Sequence, residues 1–215
     1  MRVKWSLSAL QSYEGCAYQY KLKYIDKLGG DTRSDAASRG VEIHAEIEAY
    51  LRKEVENVPQ SAIKHAPLLT ELRGRECFPE HKVALSREWQ PVQWDERWYG
   101  GIFDLKVLGP KESEASVYDW KTGKIYDSHD DQKSLYTLAI FAEHPAVLWV
   151  RAVHVYVDLG KVTAKAYHRD EMHNLRNQWN SRANKLEVEQ EWLPNPSFKC
   201  RYCPFSKAKG GPCRF

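Results

Sequence analysis

No apolar run in this sequence approaches the roughly 20 residues that a membrane-crossing helix needs. The opening Met1-Arg2-Val3-Lys4 leads into a polar stretch instead of the apolar core of a secretion signal. A soluble, cytoplasmic protein is therefore expected. A phosphate-binding Gly-x-x-x-x-Gly-Lys-Ser/Thr loop is also missing, so any ATP-driven work would have to come from a partner. Internal repeats and low-complexity linkers are absent, which leaves an ordinary globular chain. Charge of one sign is lacking too: 32 Lys and Arg against 29 Asp and Glu give a net charge of only +3, so the placement of charge matters more than its sum. Five cysteines, an odd number with no secretion signal, argue against a disulfide framework and towards reduced thiols or metal ligands.

What is present suffices for a core. The 215 residues are 42% hydrophobic, enough for one domain of generous size. Eight tryptophans and twelve tyrosines are many for this length; most belong in a core, and a few, such as Trp94, Trp98 or Tyr99, could stack on bases.

Hydrophobic spacing orders the elements. Ser6 offers an N-cap, and Leu10, Tyr13, Ala17, Tyr20 and Tyr24 predict one helix ending near Gly29-Gly30. Gly40, His44, Ile47 and Leu51 predict a second from about Ala36 to Lys53, with His44 facing inward. Strands are predicted over about Lys82–Trp89, Trp98–Leu108 and Ala115–Lys121, the last two joined by a turn at Gly109-Pro110-Lys111-Glu112. A helix over about Ser128–Glu143, a hairpin over Val150–Val157 and Val162–Tyr167, and a long helix through Met172, Leu175, Trp179, Ala183 and Leu186 follow. The pattern is α/β or α+β, a mixed sheet flanked by helices. After Trp192 the chain is too poor in aliphatics to hold a fold without help.

Chemistry concentrates on the predicted strands. In Val117-Tyr118-Asp119-Trp120-Lys121 the alternation of a strand turns Asp119 and Lys121 to one side and Tyr118 and Trp120 to the other. By itself an Asp-x-Lys is a very weak signal and reads as a solvated pair on an exposed strand face. If the neighbouring strand brings Asp104 beside Asp119, however, a divalent cation is the simplest way to hold two carboxylates together, and a lysine next to them can orient or deprotonate a water. Metal-assisted phosphodiester hydrolysis suits that trio. His44 alone would read as a satisfied core histidine, and Gln132 and Tyr136, one helical turn apart, as ordinary packing. Cys200-x-x-Cys203 followed by Pro204 has metal-like spacing, with Cys213 beyond it and Cys16 far upstream; Cys77 reads as a packed thiol.

The order Gly40-x-x-x-His44, Gly101-x-x-Asp104, Asp119-x-Lys121 and Gln132-x-x-x-Tyr136 resembles the RecB-type branch of the PD-(D/E)XK nuclease superfamily. The likeness begins at Ser6-Leu7-Ser8-Ala9-Leu10-Gln11-Ser12-Tyr13-Glu14-Gly15-Cys16 and spans nearly the whole chain. It implies a restriction-endonuclease-like core in a single domain of residues 1–215. Asp104, Asp119 and His44 would then hold Mg2+ or Mn2+, with the imidazole favouring manganese. Lys121 would activate the attacking water, while Gln132 and Tyr136 position substrate or lysine. The resemblance further implies a 4Fe-4S cluster on Cys16, Cys200, Cys203 and Cys213, pinning a tail of residues 193–215 to the N-terminal helix; zinc is the alternative. The expected activity is a metal-dependent exonuclease acting on single-stranded DNA or DNA ends in recombination, repair or phage DNA metabolism, beside a helicase or recombinase partner. A non-catalytic DNA-binding accessory module and a structure-specific endonuclease are the alternatives.

Overall fold

The computed structural model describes residues 3–29, 35–125 and 129–215. Met1-Arg2, Gly30 and Ser128, which entered the expected leader and helix boundaries, lie outside them. The chain divides into two compact units, Met1–Arg33 with Trp179–Phe215, and Ser34–Gln178. In chain order the helices are α1 (Leu7–Gly15), α2 (Ala17–Tyr20), α3 (Asp35–Leu51), α4 (Ala66–Arg73), α5 (His129–Glu143) and α6 (Met172–Val188). The strands are β1 (Cys77–Leu85), β2 (Tyr99–Leu108), β3 (Glu114–Lys121), β4 (Trp149–Tyr156) and β5 (Lys161–His168).

In the larger unit the strands form one mixed sheet in the order β1-β2-β3-β4-β5. Every neighbouring pair is antiparallel except β3 and β4. A parallel pair cannot be closed by a tight turn, and α5 supplies the crossover between them. One sheet face is buried under α3 and α4, where Ile43, Ile47, Leu51, Leu69 and Leu72 meet Leu105, Val107, Tyr118, Trp120 and Val155. Each such side chain, fully buried, contributes roughly 1.5–3 kcal/mol. Cys77 packs against the same core, as a small apolar thiol does. The opposite face meets α5, where the Phe103 and Tyr136 ring centroids are 4.3 Å apart.

Two elements depart from their expected spans. β1 begins at Cys77, not near Lys82, and ends at Leu85; beyond it, Ser86 to Gln90 close a turn through the Ser86 N–H to Gln90 carbonyl bond. Pro79 hid the true start, because proline reads as a strand breaker, yet β1 is an edge strand, where a missing N–H costs little. The expected N-terminal helix is not continuous. Cys16 is extended (φ −164°, ψ 110°) and separates α1 from α2, which then passes into a π-helical turn over Lys21–Ile25.

The smaller unit is held differently. Trp5 stacks on Trp179 with centroids 6.3 Å apart, Tyr20 stacks on Trp192 at 5.6 Å, and Arg182 grips the Glu14 carboxylate with two 2.7 Å bonds. Ser6 caps α1 by accepting the Ala9 N–H, as its position suggested.

Candidate active site

The carboxyl end of β3 carries the site. Tyr118 and Trp120 enter the core beneath α3, so strand alternation sends Asp119 and Lys121 to the face covered by α5. There the Lys121 ammonium lies 2.7 Å from Asp119 Oδ2 and donates a 2.6 Å bond to Gln132 Oε1. Gln132 Nε2 reaches Asp119 Oδ1 at 2.5 Å and the Tyr136 hydroxyl oxygen at 2.7 Å. Tyr136 in turn donates to the Ile102 carbonyl. One glutamine thus fixes the acid, the lysine and the tyrosine at once.

Asp104 joins this group from β2. Its β-sheet pairing with β3 ends at Leu105 and Tyr118; past that point Asp104 Oδ2 accepts the Trp120 N–H at 2.7 Å, in place of a ladder bond. Its other oxygen, Oδ1, stands 3.3 Å from His44 Nδ1. A break in strand alternation aims it there. Phe103 meets Tyr136, and Lys106 lies within 3.2 Å of His144 just past α5, while Leu105 and Val107 belong to the opposite core. Phe103 and Lys106, three residues apart, therefore share a face, while β1 and β2 keep a one-to-one register on either side of Asp104. All six residues expected from the sequence, His44, Asp104, Asp119, Lys121, Gln132 and Tyr136, are joined through these contacts.

The motif glycines are spacers. A Cβ on Gly101 would fall 2.5 Å from the Tyr99 hydroxyl, and one on Gly40 would meet Thr122 Oγ1 at 3.3 Å. His44 is half-buried, at the edge of its helix stripe instead of inside the core, because that edge is where Asp104 stands.

Electrostatics mark the same point. Burial, with the charge of Asp104 added, pushes the Asp119 carboxyl up to about 7 against the opposing pull of Lys121 and His44. Burial disfavours a charge on His44, but Asp104 and Asp119 outweigh it and raise its pKa. Asp119 Oδ2 is fully buried and accepts no well-aligned hydrogen bond although Lys121 is close, so it keeps an acceptor lone pair to offer. Two neighbouring carboxylates, with an imidazole beside one and a buried oxygen of the other faced by the Lys121 ammonium, form a donor set that fits a hard divalent cation. Among the described residues no three His, Cys, Asp or Glu side chains stand in a ready-made metal-holding arrangement; the Lys121 ammonium and the His44 ring occupy the places beside the two carboxylates.

A family model for the PD-(D/E)XK nuclease superfamily matches residues 4–208. The chain belongs to that superfamily. It is accordingly a nuclease by family, a hydrolase of phosphodiester bonds. No curated protein sequence matches it. Among solved structures, a Eubacterium rectale protein whose name assigns it provisionally as an exonuclease is 10% identical. That match covers 94% of this chain and 87% of the other with a TM-score of 0.52, a likeness of fold alone. The structure of SSO0001 matches at 15% identity over 88% of this chain and 91% of that one, and its TM-score of 0.40 carries no weight here.

One further acid of this nuclease escapes a reading by motif. Glu80 on β1 lies between Pro79, paired with Leu105, and His81, paired with Phe103, which sets it opposite Asp104. Its φ of +51° is strained for a residue with a side chain. Burial first, then the charges of Asp104 and Glu48, raise its pKa. Its only sequence signal was an acid three residues before the apolar end of the strand, which any solvated edge also shows. Glu88, beyond the end of β1, is exposed and accepts a bond from Ser86.

The smaller unit gathers the cysteines. Cys16, Cys200, Cys203 and Cys213 line one cavity of about 50 Å3, and all are free thiols. The Asn195 N–H points to Cys16 Sγ at 3.3 Å, and the Ser197 N–H to Cys200 Sγ at 3.4 Å. Burial raises the Cys203 thiol pKa, with Cys16, Cys213 and Cys200 adding to it against a bond from the Phe205 backbone. Thiols are soft donors, but among the described residues these four do not form a ready-made metal-holding group.

Proposed function

We propose that this chain is a metal-dependent deoxyribonuclease of the RecB-type branch, an exonuclease acting on single-stranded DNA or DNA ends. The observation that carries the reading is the connected set of His44, Asp104, Asp119, Lys121, Gln132 and Tyr136, six residues drawn from α3, β2, β3 and α5. Asp104, Asp119 and His44 would hold the cation, Mg2+ or Mn2+, and the bound ion would polarise a phosphoryl oxygen and lower the pKa of a water. Lys121 orients that water and takes part in its deprotonation. Gln132 keeps the lysine and Asp119 in register, and Tyr136 braces Gln132 against the β2 backbone. The residues act as one unit, so removing any of them costs more than its own contact.

The whole chain acts as one nuclease domain, its tail of residues 193–215 fastened to the N-terminal helix by a 4Fe-4S cluster on Cys16, Cys200, Cys203 and Cys213, with zinc as the alternative. A segment with so little to bury gains its order from such a crosslink. The absence of an ATP-binding loop assigns unwinding to a helicase or recombinase partner, in recombination, repair or phage DNA metabolism. Among the described residues no helix is long and apolar enough to cross a membrane; a cytoplasmic location follows from the substrate.

The test is digestion of end-labelled linear and closed circular single-stranded DNA with Mn2+ or Mg2+, parent against Asp119→Ala. Loss of the linear strand alone, dependent on metal and abolished by the substitution, is expected. Equal loss of the circle would make it an endonuclease. Metal-dependent cleavage that survives Asp119→Ala would remove this site from the chemistry.

A further inference from the structure

The tail carries a surface that the catalytic set leaves unexplained. No Asp or Glu follows Glu191, whereas Lys199, Arg201, Lys207, Lys209 and Arg214 do, so the last residues hold five cations and no acid. Within the same stretch Phe198 is 76% and Tyr202 68% exposed, more than any tryptophan or tyrosine of the larger unit offered as a base-stacking candidate; Trp98 and Tyr99 are buried and Trp94 is 41% exposed. Large rings normally go inside, and two left in water in an acid-free stretch of chain call for an occupant.

Their placement is regular. Phe198–Tyr202 is a 3-10 helix, with three residues per turn, so Phe198 and Arg201 share one side, Lys199 and Tyr202 a second, and Cys200 stands alone on the third. Cys200 lines the thiol cavity. Each of the two other sides then presents one ring and one cation. The Arg201 guanidinium lies 5.9 Å from the Tyr202 ring centre, and the Lys209 ammonium is tied to the Tyr202 carbonyl at 3.3 Å, which brings the second basic turn, Lys207–Lys209, alongside the first. Capping by Ser197 and the inward thiol fix the orientation of this short helix.

From this alternation we infer that the tail is a docking surface for single-stranded DNA, with Phe198 and Tyr202 stacking on unpaired bases and Lys199, Arg201, Lys207 and Lys209 meeting the phosphates between them. A double helix keeps its bases stacked on each other and offers rings nothing to stack on, whereas every unpaired base has an open face, so the surface selects strandedness and not sequence. The inference rests on the nuclease reading for its choice of DNA, and it adds a contact that holds substrate without touching the reacting bond.

The test is fluorescence anisotropy of labelled oligothymidylate and of a blunt hairpin with the full-length protein, in EDTA so that nothing is cut, across a salt series. Phe198→Ala with Tyr202→Ala is expected to weaken oligothymidylate binding at least about tenfold, leaving the salt slope and the hairpin affinity unchanged. Replacing Lys199, Arg201, Lys207 and Lys209 by Gln should lower the slope of log affinity against log salt, by about 0.7 for each phosphate that is no longer neutralised. Phe198→Tyr with Tyr202→Phe, which keeps both rings, should bind as the parent does and separates stacking from folding of the tail. The inference is overturned if the double alanine variant binds as the parent does, if it loses hairpin and single strand alike, or if the ring-keeping variant fails equally. A parent that cuts DNA while the alanine pair changes nothing sinks this surface alone; a parent that neither binds nor cuts DNA sinks the nuclease reading as well.

Discussion

The two units answer the problem of staying folded in opposite ways. The larger one buries Ile, Leu and Val between a sheet and its helices, and it also buries the Asp119 carboxyl where it meets Lys121 and Gln132. The smaller one has aromatic pairs, a bidentate Arg182 to Glu14 clamp and a cavity ringed by thiols. Aliphatic packing is strong and tolerant, so the larger unit can carry an arrangement that itself works against stability. Ring pairs add only about 0.5–1.5 kcal/mol beyond their burial, so the smaller unit is where the proposed cluster would matter most.

The sharpest way to test that contrast is Asp119→Ala, which should abolish metal-dependent cleavage, by about a thousandfold or more, while far-UV circular dichroism stays that of the parent. Gln132→Leu leaves every charge in place but frees Lys121, and single-turnover cleavage should slow by about 10–100-fold, with substrate binding in EDTA unchanged. Cys203→Ser should act only on the other side of the comparison. Iron and zinc content by plasma emission spectroscopy should fall, and limited proteolysis should release a tail fragment that the parent protects. Retained metal and an undigested tail would mean that the smaller unit stands on its rings alone.

A subtler outcome follows from the cost of the site. Because the Asp119 carboxyl is raised to about 7, the folded state disfavours its charge above that value, and the metal-free protein loses stability as pH rises through the window between the ordinary aspartate range and 7. Asp119→Asn should therefore raise the Tm above pH 7 by a few degrees, at about 2–4 °C per kcal/mol, with the gain shrinking as the pH is lowered. A lower Tm for this variant at every pH would show that the acid is instead a structural anchor. The smallest effect belongs to Arg182→Ala, expected to lower stability by under about 1 kcal/mol in a melt, since its pair with Glu14 is partly solvated.

The catalytic unit was the more legible half. Alternation on β3 and the four-residue step from Gln132 to Tyr136 are periodic signals, and periodicity survives folding because side-chain direction follows from backbone geometry. The break in alternation beside Asp104 was not legible, nor was Glu80 opposite it, because both depend on the pairing of two strands distant in sequence. The break at Cys16 escaped because the helical spacing of Leu10, Tyr13, Ala17 and Tyr20 runs on past Gly15, a weak helix former, and the partner that meets the Cys16 sulfur, Asn195, lies 179 residues away. What the sequence concealed was set by distant contacts, and what it disclosed was local.

That separation also orders events during synthesis. Residues 44 to 136, which include every member of the catalytic set, leave the ribosome before any cysteine of the tail, and the contact from Asn195 to Cys16 must wait for the entire larger unit to be made. A nascent chain arrested before Cys200 would already hold the acids and the lysine, yet could not complete the ring of thiols. The proposed cluster would thus assemble late in biogenesis, once Cys213 has been made.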